Sequence, residues 1–125
     1  MSESAAPPML VACLCAAWCD SCRDYRSTFE SLAASLAGEA EFAWIDIEDE
    51  ADALGDLDVE NFPTLLIADD EVVRFLGPVT PQAQTAERLL RSAQAGALPD
   101  ADADAGLLAR VRALLRSRGG EPGPA

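Results

Sequence analysis

Between Met9 and Leu36 the hydrophobic pattern changes period once, and that change limits the possible folds more than any other feature of the chain. Met9 to Cys15 is an unbroken apolar run, short enough for a buried strand. From Asp20 to Leu36 the apolar residues return at helical spacing, at Cys22, Tyr25, Phe29, Leu32 and Leu36, and Gly38 is the expected C-cap. EFAWIDI (Glu41 to Ile47) is rich in strand formers. A strand, helix, strand unit of this length implies two parallel strands joined by a right-handed crossover.

Further along, Ala51, Leu54 and Leu57 can line one face of a short helix in an acidic segment. After Asn61-Phe62-Pro63, TLLIA and EVVRFL flank Asp69-Asp70, so an antiparallel hairpin with a tight turn is expected, closed by Gly77-Pro78. Thr80 is the expected N-cap and Pro81 the first residue of a helix with Ala83, Ala86, Leu89, Leu90 and Ala93 inside. Gly96 to Pro99 and the alternating DADAD precede an apolar stripe at Leu107, Leu108, Val111, Leu114 and Leu115, accompanied by Arg110, Arg112, Arg116 and Arg118. This basic helix either folds back onto the acidic body or docks on a partner, and charge complementarity favours the first. The organisation expected is a flexible N-terminus over 1–8, one domain over 9–96, a linker and helix over 97–118, and a disordered tail over 119–125.

A chain of 125 residues can bury roughly two-thirds of its unfolded surface, so it folds without needing a metal or disulfide. Half its residues are apolar, yet no run approaches the length of a membrane span. The leader MSESAAPP carries Glu3 and no basic side chain, unlike a secretory signal, so a reducing cytoplasm is expected. There is no histidine and no lysine, which excludes Ser/His/Asp and Cys/His catalysis, histidine-ligated metals and lysine Schiff bases. The net charge is −13, and thirteen acidic residues with no basic one lie between Glu39 and Glu71. Such a surface repels nucleic acid and anionic membrane.

All four cysteines fall within CLCAAWCDSC, Cys13 to Cys22. A four-thiolate zinc site is the first reading to weigh. Cys13 and Cys15 share one face of a buried strand while Cys19 and Cys22 begin a helix after three intervening residues, with no glycine before Gly38 to make a chelating turn. Pairing Cys13 with Cys15 is also poor, because side chains two apart on a strand sit near the upper limit of disulfide Cα spacing. At the helix start the chemistry differs. Unpaired backbone N–H groups and the helix dipole stabilise a thiolate at Cys19, and Cys22 lies one turn in, within disulfide reach.

WCDSC after a hydrophobic strand, WIDIED, and FPTLLI followed by a hairpin, Gly77 and a helix together resemble the thioredoxin family, over roughly Met9 to Gln94. The resemblance implies an α/β, thioredoxin-like fold: a mixed central sheet of about four strands flanked by helices, without the extra N-terminal strand and helix of full thioredoxins and with an added C-terminal helix. It implies thiol–disulfide exchange with Cys19 as nucleophile and Cys22 as resolver, no cofactor and no metal. Trp18 becomes an apolar platform for substrate, and Phe62 and Pro63 shape the groove, the proline by a cis bond and Phe62 by strand-like pairing with the substrate peptide. The implied partners are disulfide-containing proteins and an electron donor such as a thioredoxin reductase, with the protein itself a monomer.

Two departures from the family pattern matter. The buried aspartate that serves the resolving cysteine is replaced by Cys13, and its partner lysine by Trp44; otherwise Cys13 and Cys15 read as small core hydrophobes. Asp20 sets a negative charge beside the nucleophile, partly opposed by Arg23 and Arg26, so a reducing couple is expected. The loss of the internal base also keeps open a rival, a thioredoxin-fold adaptor with negligible redox turnover, and the zinc module remains a second.

Overall fold

The computed structural model describes residues 9–16, 18–36, 38–55, 63–101, 103 and 106–119, with side chains as far as residue 117. Its elements run β1 (Leu10–Cys15), α1 (Asp20–Ser35), β2 (Glu41–Asp46), α2 (Ala51–Leu54), β3 (Thr64–Ala68), β4 (Val73–Pro78), α3 (Ala83–Gln94) and α4 (Leu107–Gly119). The four strands form one sheet in the order β2-β1-β3-β4. β1 runs parallel to β2, with Cys13 opposite Trp44 and Cys15 opposite Asp46, and antiparallel to β3, with Leu14 opposite Thr64. A βαβ unit followed by a hairpin is therefore what the periodicity produced.

β1 reads as a continuous apolar run because both of its faces are covered. Val11, Cys13 and Cys15 pack toward Cys22, Tyr25, Phe29 and Leu32 of α1 and Ala86 and Leu90 of α3. Leu10, Ala12 and Leu14 pack on the opposite face, against Leu54 of α2 and Leu107, Val111 and Leu115 of α4. The C-terminal helix thus folds back and closes the second face of the sheet. Burying each of Leu107, Leu108 and Leu115 contributes about 1.5–3 kcal/mol. Arg110 donates from Nε to the Ala53 carbonyl oxygen at 2.9 Å, and Arg112 donates to the Asp69 carbonyl oxygen at 2.9 Å. Gly55 makes the close approach possible: its φ is 63°, and a Cβ there would lie 2.7 Å from the Arg110 guanidinium.

Three boundaries differ from the sequence expectation. α1 ends at Ser35 with Leu36, not Gly38, as its C-cap, because buried Leu36 accepts from both Glu39 and Ala40 as the chain turns toward β2. The hairpin turn spans Asp69 to Val72 rather than two residues: the Asp69 carboxylate accepts the N–H groups of Glu71 and Val72 at 2.8 and 2.9 Å, which delays β4 until Val73 and carries it through Gly77 and Pro78. Pro78 is tolerated there because β4 is an edge strand. α3 begins at Ala83, since Gln82 keeps an extended backbone at ψ 138° and is the N-cap; Thr80 instead hydrogen-bonds the Thr85 hydroxyl at 2.6 Å. Leu57, Asn61 and Phe62, like residues 1–8 and 120–125, lie outside the described residues.

Candidate active site

The end of β1 and the start of α1 hold all four cysteines. The chain turns through Ala16 to Cys19, where the Cys19 N–H donates to the Ala16 carbonyl oxygen at 3.0 Å. Cys19 is the N-cap of α1, with extended φ and ψ of −90° and 119° and no side-chain capping bond, so its sulfur is not committed to the helix terminus. It is partly exposed. Trp18 beside it is 62% exposed, and its indole N–H donates to Glu48 at 3.1 Å, which orients the ring at the surface. Asp20 is paired with Arg23 one turn on. The acid that the sequence set against the nucleophile therefore has its charge matched locally.

Cys22 occupies the inner face of the first turn of α1 and is 1% exposed. Its sulfur is joined to Cys15, not Cys19: the two form a disulfide with a Cα separation of 5.8 Å, inside the usual range. Cys15 is therefore more than the core hydrophobe that its place in the strand suggested. The two periodicities turn this face of β1 and the inner face of α1 toward each other but do not single out the pair, since Cys13 lies on the same strand face as Cys15. Cys13 and Cys19 remain free thiols. In this disulfide-bonded state the cluster does not present four thiolates to a metal.

Cys13 is fully buried, with its sulfur 3.6 Å from that of Cys15. Burial pushes the Cys13 thiol up to about 12, with the Arg26 guanidinium pulling weakly the other way. Arg26 lies over the Trp44 ring at 4.9 Å, a cation–π contact that puts a positive charge beside the position where the resemblance loses its lysine. The Tyr25 hydroxyl is buried without a hydrogen-bond partner, and burial and the neighbouring Cys13 raise it to about 12. A cleft of about 440 Å³ reaches Cys22 between Arg23, Arg26, Trp44, Asp46 and Glu50.

Pro63 is buried at the mouth of β3 and accepts the Val79 N–H at 3.0 Å. Extending the antiparallel register one residue past the Leu14 and Thr64 pair sets Pro63 opposite Cys15. The proline and the cysteine cluster thus share one end of the sheet, while Phe62 lies outside the described residues.

A strand that delivers a CxxC segment to a helix N-terminus, in a mixed four-stranded sheet covered on both faces, is the fold of the thiol–disulfide oxidoreductases. The family model described as Thioredoxin matches residues 2–90, and the chain belongs to the thioredoxin family. Among solved structures it is similar to mitochondrial thioredoxin 3 of Saccharomyces cerevisiae, at 17% identity and a TM-score of 0.60, covering 69% of this chain and 79% of the other. The germline-specific thioredoxin Deadhead of Drosophila melanogaster is similar at 19% identity and a TM-score of 0.59, covering 67% and 79%. Fasciola hepatica thioredoxin is similar at 24% identity and a TM-score of 0.55, covering 66% and 78%. No curated protein matches this sequence. Thioredoxin-family proteins act on disulfides, and among the described residues no helix is long and apolar enough to cross a membrane.

Proposed function

We propose that the protein reduces protein disulfides by dithiol exchange. The observation that carries this reading is Cys19, a free and partly exposed thiol at the N-cap of α1, beside exposed Trp18 and one turn before Cys22. Cys19 as thiolate attacks one sulfur of a substrate disulfide; that bond breaks, a mixed disulfide forms, and the departing sulfur takes a proton. Cys22 then attacks Cys19 Sγ, leaving a Cys19 to Cys22 disulfide and freeing the reduced substrate. Trp18, Phe62 and Pro63 bind the substrate peptide, and Asp20, Arg23 and Cys13 modulate the couple, which is a reducing one. A dithiol donor such as a thioredoxin reductase returns the electrons. The protein works as a cytoplasmic monomer, and its net charge of −13 keeps it off nucleic acid.

The pairing of Cys22 with Cys15 favours a second reading, an adaptor without turnover, because Cys19 then has no free resolver. Dithiol-driven insulin reduction separates the two. Wild type is expected to turn over, Cys19→Ser to fall to the uncatalysed dithiol rate, and Cys13→Ala to keep most activity. Activity surviving in Cys19→Ser defeats the mechanism; an inactive wild type gives the adaptor reading.

A further inference from the structure

Two disulfides compete for the sulfur of Cys22: the one that substrate turnover forms with Cys19, and the one present with Cys15. We propose that Cys15 is a further catalytic cysteine, which takes Cys22 from Cys19 and moves the disulfide inward. The inference rests on the dithiol reading above. In the exchange Cys15, as thiolate, attacks Cys22 Sγ. The bond between Cys15 and Cys22 forms, the bond between Cys22 and Cys19 breaks, and Cys19 leaves as a thiolate at the helix N-terminus. The Cys15 proton is given up and Cys19 gains one, so no net oxidation occurs and no external oxidant is required.

The geometry is built for both partners. Cys15 ends β1 on the face that α1 covers, Cys22 is on the inner face of the first turn, and Cys19 packs against the same cluster. Because Cys15 carries no hydrogen in the disulfide, the 3.6 Å contact has Cys13 S–H as donor and Cys15 Sγ as acceptor. Burial keeps Cys13 protonated, so this donor stays in place and meets the negative charge when Cys15 is released. Cys13 is thus a positioning residue for Cys15, at the site where the resemblance had an acid.

The consequence is an oxidised protein unlike a simple two-cysteine reductase. Its disulfide is closed off, with Cys15 and Cys22 each 1% exposed, while Cys19 is free again at the surface. A reductant reaches the buried bond by way of Cys19 attacking Cys22. A substrate captured by Cys19 in this state is held as a mixed disulfide until the dithiol donor reduces one of the two bonds.

Thiol mapping tests this without any turnover. Protein oxidised with oxidised glutathione and freed of it is alkylated natively, denatured, alkylated with a second isotopic label, then reduced and sequenced by tandem mass spectrometry. Cys19 is expected to carry the native label, Cys13 the denatured label, and Cys15 and Cys22 neither. Cys19→Ser should form the same bridge. In Cys15→Ala and Cys15→Ser the native label on Cys19 should be lost on oxidation, because the bond stays between Cys19 and Cys22. Recovery of Cys15 as a free thiol in oxidised wild type, or a Cys19→Ser protein that oxidises without a Cys15 to Cys22 bridge, overturns the proposal. A wild type active on insulin but bridged only through Cys19 and Cys22 removes this inference and leaves the reductase standing; one bridged through Cys15 and inactive on insulin removes the reductase.

Discussion

Replacing Tyr25 with phenylalanine removes a single oxygen, and the structure says that this should stabilise the protein. The residue is 1% exposed and its hydroxyl has no hydrogen-bond partner, so the phenol is desolvated with nothing in return. A buried polar group left unpaired costs about 1–3 kcal/mol, while the ring packing against Phe29, at a centroid distance of 6.1 Å, is kept in the variant. An unfolding entropy of about 2.1 cal/mol/K per residue amounts to about 0.26 kcal/mol/K here, so a gain of about 1–2 kcal/mol raises Tm by about 4–8 °C. The pH dependence adds a second readout. Tyr25 is raised from 10.0 to about 12 and Cys13 from 9.0 to about 12, so below pH 9 both keep their protons in the folded and the unfolded chain. As pH rises from 9 to 12, the unfolded chain releases them first and stability falls, by at most about 4 kcal/mol for Cys13 and at most about 2.7 kcal/mol for Tyr25. Thermal melts from pH 7 to pH 11 should show wild type losing Tm above pH 9, and Tyr25→Phe melting higher throughout with a shallower loss above pH 10. A Tyr25→Phe protein that melts several degrees lower at pH 7 would refute the reasoning, because the hydroxyl would then be making a bond that stabilises the fold.

Leu107→Ala tests whether α4 belongs to the cooperative fold. Leu107 is buried against the second face of the sheet, so its truncation should cost about 3 kcal/mol and lower Tm by about 11 °C; a drop under about 4 °C would show the helix to be dispensable. At Asp69, burial pushes the carboxyl up, but the N–H groups of Val72 and Glu71 and the Arg74 guanidinium more than offset it and hold it below its usual range. Its stabilisation is therefore complete above the unfolded carboxylate value near pH 4 and is lost as pH falls through the lower folded value. Asp69→Asn should flatten acid-side melts between pH 5 and 2 and cost about 1 kcal/mol at pH 7; an unchanged acid slope would count against this.

The alternation of β1 and the helical repeat of α1 were legible because each is a local property, set by which side chains share a face of a strand or a helix. The same logic placed Cys19 at the helix start and Trp18 beside it. Exact boundaries were not legible: Asp69 gathers two N–H groups and lengthens the hairpin turn, and Gln82 stays extended ahead of α3 without a side-chain capping bond.

The sequence by itself determined that this chain runs strand, helix, strand and then a hairpin followed by helices, that its four cysteines fall where the first strand gives way to the first helix, and that Cys22 looks inward while Cys19 stands at the helix start. Only the tertiary structure decided which sulfurs pair. Cys15 and Cys22 are seven residues apart along the chain, and the 5.8 Å between their Cα atoms is set by how closely α1 packs on β1. Packing likewise decided that Arg26 stands over Trp44 and that α4 covers the second face of the sheet. A residue's own face is written in its neighbours along the chain, but the residue it meets across the core is fixed only when all the elements close together.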